Sequence, residues 1–417
     1  MDKLKIHGGS RLRGRVRIGG AKNAALPALA ATLLTDDAVL LRNLPRVRDV
    51  RTMLRVLEQL GASTADAGDG AVRVQVERIG SFEAPYDLVK TMRASILALG
   101  PLVARHGRAR VSLPGGCAIG ERPVNFHIEG LREMGAQVEV AHGYVEARAE
   151  SLRGAEITFP RKTVTGTENL MMAAALARGT TVLHNCAKEP EVVDLAQLLV
   201  RMGAAIEGGG SDRIVVEGRE RLGGAEHTVI PDRIEAGTYL IAGALTGDDV
   251  EITDCRPAHM EAVLRQLAAA AVPIEVGEDR LRVRAPAKLL PRDLRTATYP
   301  GFPTDMQAQY MVLASQAQGS SLVTETIFEH RFMHVGELQR MGADVRIQGA
   351  SSLVVGPSRL SGAQVMATDL RASACLVLAA LVAEGVTVID RIYHLDRGYE
   401  TMEQKLAGLG ATVERQR

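Results

Sequence analysis

The 417-residue chain contains no tryptophan and only 13 other aromatic residues, seven tyrosines and six phenylalanines. That is too few for base-stacking platforms or aromatic cages. An excess of one charge is also missing. Fifty basic against 49 acidic side chains leave +1, whereas general binders of nucleic acid or anionic membranes carry a large basic surplus. Cys117, Cys186, Cys255 and Cys375 are scattered without CxxC spacing, which makes neither a disulfide framework nor a zinc site. No apolar run reaches about 18 residues, and the opening MDKLKIHGGSRLRG has no signal-peptide core. The expectation is a cytoplasmic protein that binds neither nucleic acid nor membrane.

What is present is an ordinary globular composition, 46% apolar and 24% charged, in a length that suits about two to four domains. Lysine is scarce, eight residues against 42 arginines. A GC-rich genome accounts for that ratio. Arginine is still the preferred fork for phosphate and carboxylate, so particular arginines matter more than their number.

One unit recurs along the chain: a helix ending in Leu/Met-Gly-Ala that runs into a strand. The copies end at Leu60-Gly61-Ala62, Met134-Gly135-Ala136, Met202-Gly203-Ala204, Met341-Gly342-Ala343 and Leu409-Gly410-Ala411, and a degenerate one has Ala268 in the glycine slot. Glycine there fits the left-handed residue that closes a helix, so the Ala268 copy is expected to close differently. Upstream in each unit lies an Ala-rich helix, apolar almost all round, which predicts burial on every side. The helix ending at the glycine is amphipathic and predicts a solvent-facing position. Each unit reads strand–helix–strand–helix–strand–strand, with hairpin turns at 68–70, 208–213 and 349–351. Repeats of this length are too long for a thin solenoid, so three units closing on their buried helices, twice over, predict two similar globules with a cleft between them.

Polar residues that suit neither core nor bland surface recur at the two helix starts of each unit. Before the buried helices stand Lys22-Asn23, Lys90 and Arg93, Lys162, Asp232 and Glu235, Thr304-Asp305, and Asp369 with Arg371. Before the amphipathic helices stand Arg46, Arg48 and Asp49, Cys117 with Arg122, Glu189, Glu191 and Asp194, Glu329 with Arg331, and Asp396 with Arg397. Asp232, Thr304 and Asp369 read as caps. Cations at the positive end of a helix dipole are disfavoured unless an anion intervenes. A lone arginine there is usually a surface ion-pair partner, but the recurrence points to an anionic ligand. Glu189, Glu191 and Asp194 lack a histidine at useful spacing, and capping or ion pairing suits them better than a metal. Cys117 lies in the glycine-rich LPGGCAIGERPV with Arg122 close by, the setting of an exposed thiol with a lowered pKa. Cys375 reads as packing.

Seven stretches, GGAKNAALP (19–27), LPGGCAIGERPV (113–124), PDRIEAGT (231–238), YPGFPTDMQAQ (299–309), FEHRFMHVGEL (328–338), TDLRASA (368–374) and HLDRGYE (394–400), together resemble the UDP-N-acetylglucosamine 1-carboxyvinyltransferase family along the whole chain. The resemblance implies an inside-out α/β barrel: two similar domains, each of three βαβαββ units around buried helices. The first would span 22–230, the second 231–417 joined by 1–21, with the active site in the cleft. It implies enolpyruvyl transfer from phosphoenolpyruvate to the 3′-hydroxyl of UDP-GlcNAc with release of phosphate, the first committed step of peptidoglycan synthesis. Cell wall biogenesis, cell shape and division would depend on it.

By the same resemblance, the catalytic residues are Cys117, Asp305, Lys22 and Arg397. Lys22, Asn23, Arg122, Arg331, Arg371 and Arg397 would bind phosphoenolpyruvate, with the phosphate on Lys22, Arg122 and Arg397 and the carboxylate on Arg331, Arg371 and Arg397. UDP-GlcNAc would meet Asn23, Arg93, Arg122, Pro123, Val124, Asn125, Phe126, Lys162, Thr163, Val164, Thr165, Asp305 and Ile327. Asn125 replaces the Asp commoner in the family. Cys117 would be the acid, able to form a phospholactoyl adduct and open to alkylation by fosfomycin, and Asp305 the base. No metal or cofactor is implied, and the expected state is a monomer acting on small molecules. The nearest alternative is a 5-enolpyruvylshikimate-3-phosphate synthase, whose pattern lacks the Cys-bearing loop. A repeat-built scaffold without catalysis would need neither Cys117 nor Asp305.

Overall fold

A computed structural model describes residues 2–90, 92–113 and 124–417. Among the described residues twelve helices recur as pairs, one pair per repeat, and a short helix, Tyr86–Val89, lies outside them. In chain order they are α1 (Lys22–Ala31) and α2 (Arg48–Leu60), α3 (Leu99–His106) and α4 (Asn125–Glu133), α5 (Val164–Ala174) and α6 (Pro190–Arg201). The second half continues with α7 (Arg233–Thr246) and α8 (Glu261–Ala269), α9 (Gln307–Ser315) and α10 (Val335–Arg340), α11 (Leu370–Val382) and α12 (Met402–Gly408). Odd-numbered helices carry mostly small and aliphatic residues and are buried along most of their length. Every residue from Ala24 to Ala31 of α1 and from Arg371 to Leu381 of α11 is inside. Even-numbered helices bury one stripe only, as with Val50, Met53, Val56, Leu57 and Leu60 of α2.

The repeat closes as the Gly-Ala pattern predicts. Gly61, Gly135, Gly203, Gly342 and Gly410 all have positive φ, and the next residue reaches back into the helix, as in Ala62 N–H to Leu57 O at 2.9 Å. The degenerate copy corrects the expectation for Ala268. It closes in the same way but later, at Ala271, with φ +67 and Val272 N–H donating to Leu267 O at 3.1 Å. An L-residue occupies the left-handed slot there, which carries a steric cost that glycine lacks.

Among the described residues six four-stranded sheets share one design. In the third, Glu156–Thr158 runs parallel to Thr180–His184, which pairs antiparallel with Arg213–Glu217, itself in a hairpin with Ala205–Glu207. The described residues divide into two compact units, 20–230 and 2–19 with 231–417. In the second unit, Lys3–His7 sits between Val386–Asp390 and Thr412–Gln416 and so fills a hairpin position with the opposite end of the chain. Leu12–Arg17 likewise lies parallel to Gly247–Thr253. Each unit has its own apolar core, with α1, α3 and α5 packed together in one and α7, α9 and α11 in the other. In the second unit the starts of two inner helices meet, Arg371 on the first turn of α11 reaching Asp305 just before α9.

Candidate active site

In the first unit Lys22 opens α1 with no capping side chain behind it, and its Nζ donates to Asp49 Oδ2 of α2 at 3.2 Å. The buried Asp49 supplies the anion that a cation at a helix N-terminus requires. Asn23 follows on the first turn. Lys162 donates to Cys186 O at 2.9 Å and pairs with Asp212, which also meets Lys188 at 2.5 Å. These cations therefore have protein carboxylates as partners, which narrows the argument from dipole mismatch alone.

Thr163 is the cap of α5, its Oγ1 accepting from Gly166 N–H at 3.2 Å, with Val164 and Thr165 on the first turn. Val124 precedes α4, Asn125 and Phe126 begin it, and the Arg161 guanidinium lies 5.5 Å from the Phe126 ring centre. Arg93 starts a 3-10 turn, Arg93–Ala98, that packs on α5.

His127, absent from the sequence-based site, binds these pieces together. Gly100 N–H donates to Asn169 Oδ1 at 2.8 Å, which turns the Asn169 amide nitrogen toward His127 Nδ1, also at 2.8 Å. Nδ1 is thus an acceptor, and the ring proton sits on Nε2, facing Thr165 Oγ1 at 3.4 Å. Burial, helped by the positive charge of Arg93, lowers its pKa from 6.5 to about 4, so the imidazole is neutral. Its place three residues after the stretch LPGGCAIGERPV (113–124) was the available signal.

In the second unit the convergence is tightest. Asp305 lies in the 3-10 turn Thr304–Met306 before α9. Its Oδ1 accepts from Arg331 Nη2 at 2.9 Å and its Oδ2 from Arg371 Nη2 at 2.7 Å. Both guanidiniums are about 95% buried, and among the described residues Arg331 Nη1 is a buried donor with no hydrogen-bond partner. Burial opposes the Arg371 charge, but Asp305, Tyr399 and Asp232 hold its pKa above the ordinary value. Asp232 and Asp369 do cap α7 and α11, each accepting from two backbone N–H groups.

Thr304 does not cap. Its hydroxyl donates to Glu325 Oε2 at 2.8 Å. Glu325, also missed, is buried and takes Thr296 Oγ1 at 2.9 Å and Ile327 N–H at 2.8 Å. It fixes both the turn before Asp305 and the loop that carries Ile327. A carboxylate among β-branched residues at a strand end (SLVTETI) was its only signal in the chain. Arg397 ends the 3-10 turn Ile392–Arg397. Cys117, Arg122 and Pro123 lie outside the described residues. Cys186, Cys255 and Cys375 are buried, and burial pushes the first two thiols up to about 11 and raises the third.

The family described as EPSP synthase (3-phosphoshikimate 1-carboxyvinyltransferase) matches residues 6–406. The chain is 59% identical over its full length to the UDP-N-acetylglucosamine 1-carboxyvinyltransferase of Solibacter usitatus, all of which it covers. It is 57% identical to the protein of the same name from Koribacter versatilis, with all of this chain and 96% of that one aligned. Among solved structures, the enolpyruvyl transferase NikO from Streptomyces tendae superposes with a TM-score of 0.89 at 29% identity, over 99% of this chain and 98% of that one. An EPSP synthase from Acinetobacter baumannii, at 16% identity, shares the fold over the full length of both chains with a TM-score of 0.77.

Proposed function

This chain belongs to the EPSP synthase family, and within it to the UDP-N-acetylglucosamine 1-carboxyvinyltransferases; from that membership we infer that it transfers the enolpyruvyl group of phosphoenolpyruvate to the 3′-hydroxyl of UDP-N-acetylglucosamine. Phosphate leaves, and the product enters peptidoglycan synthesis. The observation that carries the site assignment is the pair of buried guanidiniums sharing one carboxylate, with a donor to spare on Arg331. Such a pair suits a small carboxylate ligand, each charge-assisted hydrogen bond contributing roughly 1.5–3 kcal/mol.

In this reading Arg331, Arg371 and Arg397 take the carboxylate of phosphoenolpyruvate, and Lys22, Arg122 and Arg397 its phosphate. Asn23, Arg93, the stretch Arg122 to Phe126, Lys162 to Thr165, Asp305 and Ile327 take the nucleotide sugar. Cys117 gives a proton to the methylene carbon of phosphoenolpyruvate, which makes C2 electrophilic. Asp305 accepts the proton of the 3′-hydroxyl as its oxygen bonds to C2. The tetrahedral intermediate then loses a methyl proton and its C2–O bond to phosphate, leaving the enol ether. A positioned acid or base contributes about 10²–10⁴-fold in rate. The protein acts as a cytoplasmic monomer on these small molecules, and neither a metal nor an organic cofactor has a step in this scheme.

The test is phosphate release from phosphoenolpyruvate that depends on UDP-GlcNAc. Release with shikimate-3-phosphate instead would reassign the chain to the EPSP synthase activity of the same family.

A further inference from the structure

Behind Arg371, on the side away from Asp305, the second unit buries a directed series of hydrogen bonds. Thr238 of α7 donates its hydroxyl proton to Ile234 O at 2.7 Å. Its oxygen can therefore only accept from the Tyr399 phenol at 2.9 Å, which makes Tyr399 the donor. The phenol oxygen in turn accepts from Arg371 Nη1 at 3.3 Å and from Gln309 Nε2 of α9 at 3.3 Å. Arg371 Nη2 holds the Asp305 carboxylate, and the Gln309 amide donates to the Asp305 backbone carbonyl at 3.0 Å.

The Tyr399 hydroxyl thus touches both routes to Asp305, through the side chain by way of Arg371 and through the main chain by way of Gln309, whose Nε2 also donates to Thr238 Oγ1 at 3.3 Å. It ties together the three inner helices α7, α9 and α11. Thr238, Gln309, Arg371 and Tyr399 are each no more than 4% exposed. Burial raises the phenol pKa, so the proton that goes to Thr238 stays in place. A phenylalanine would fill the same volume, so packing alone does not call for the hydroxyl.

We propose that Tyr399 is a positioning residue: its hydroxyl, oriented by Thr238, sets Arg371 and Gln309 so that the guanidinium and the Asp305 carboxylate meet the reactants in one geometry. This deepens the function proposed above and rests on it. The reading assigns the carboxylate of phosphoenolpyruvate to Arg371 directly and reaches UDP-GlcNAc only through Asp305, which Arg331 also holds, so loss of the hydroxyl should weaken phosphoenolpyruvate much more than UDP-GlcNAc.

Steady-state phosphate release is measured for the wild type, Tyr399→Phe, Thr238→Val and Thr238→Ser, with each substrate varied in turn. Tyr399→Phe is expected to raise KM for phosphoenolpyruvate about tenfold and lower kcat, leaving KM for UDP-GlcNAc within about twofold. Thr238→Val should reproduce that asymmetry, and Thr238→Ser, which keeps the hydroxyl, should restore wild-type values. If Tyr399→Phe does not fold, the two Thr238 variants carry the comparison. An unchanged KM for phosphoenolpyruvate, a parallel rise for both substrates, or equal damage from Ser and Val at 238 would overturn the positioning role. A wild type that releases no phosphate with UDP-GlcNAc would overturn the function itself, whereas an active wild type with an indifferent Tyr399→Phe overturns only this inference.

Discussion

Asp305 is a carboxylate between two buried cations, and its removal has two separable consequences. Asp305→Asn keeps the volume but leaves Arg331 and Arg371 without their shared counter-charge. The expected result is a fall in kcat of about 10²–10⁴-fold, together with a lower unfolding midpoint, since a buried charge that loses its partner is strongly destabilising. Kinetics and thermal unfolding on one preparation check both. A different residue-scale expectation concerns thiols. Cys186, Cys255 and Cys375 are buried and held in the protonated form, so one equivalent of fosfomycin should add to the wild type and none to Cys117→Ser. Intact-mass spectrometry reads this directly, and a labelled serine variant would mean that another thiol reacts. Asp305, Arg331 and Arg371 could be named from their motifs. His127, Glu325 and Thr238 were not, because their roles depend on the distant partners Asn169, Thr296 and Tyr399, which lie 42, 29 and 161 residues away along the chain.

At the scale of single elements, the closing turns of the outer helices form a graded series. Gly61 has φ +111, and a Cβ there would come within 2.5 Å of Gly80 N and 2.7 Å of Arg78 O. Gly203 has φ +103 with nothing within 4 Å. Gly203→Ala should therefore cost only the left-handed penalty, about 1–2 kcal/mol, and Gly61→Ala more than that. Ala271 already bears the penalty at φ +67, so Ala271→Gly is expected to stabilise by up to about 1 kcal/mol. Urea midpoints of the three variants test the order, and a destabilised Ala271→Gly would contradict it. The repeat was legible because left-handed closure demands glycine in five copies. The sixth was misaligned by three residues, since in a run of four alanines no side chain marks where the helix stops.

Two buried imidazoles should cost the whole molecule stability in mild acid, against the opposite contribution of the Glu168 and Glu235 carboxyls, whose pKa burial raises. His127 in one unit and His334 in the other are buried and neutral, each lowered from 6.5 to about 4, chiefly by burial. A lowered folded-state pKa means that the unfolded chain takes up the proton first. Their contribution is intact above about pH 6.5, declines from there to about pH 4, and is level below that. Each can account for up to about 3 kcal/mol of the decline. Denaturation midpoints at pH 7.5 and 5 should converge for His127→Gln relative to wild type; an equally steep fall in the variant would show that this imidazole is not responsible.

Periodicity, helix-closing glycines and long motifs along the chain were sufficient for the α/β class, the sixfold repeat and the kind of chemistry, because each is a short-range demand of backbone sterics or of a reactive group on its neighbours. Three-dimensional packing alone determined that Lys3–His7 completes a sheet with the last strand, that Lys22 and Lys162 have carboxylate partners, and that Tyr399 stands behind Arg371. Those arrangements join residues distant along the polymer, and burial, by removing water, leaves their polar atoms only one another for partners.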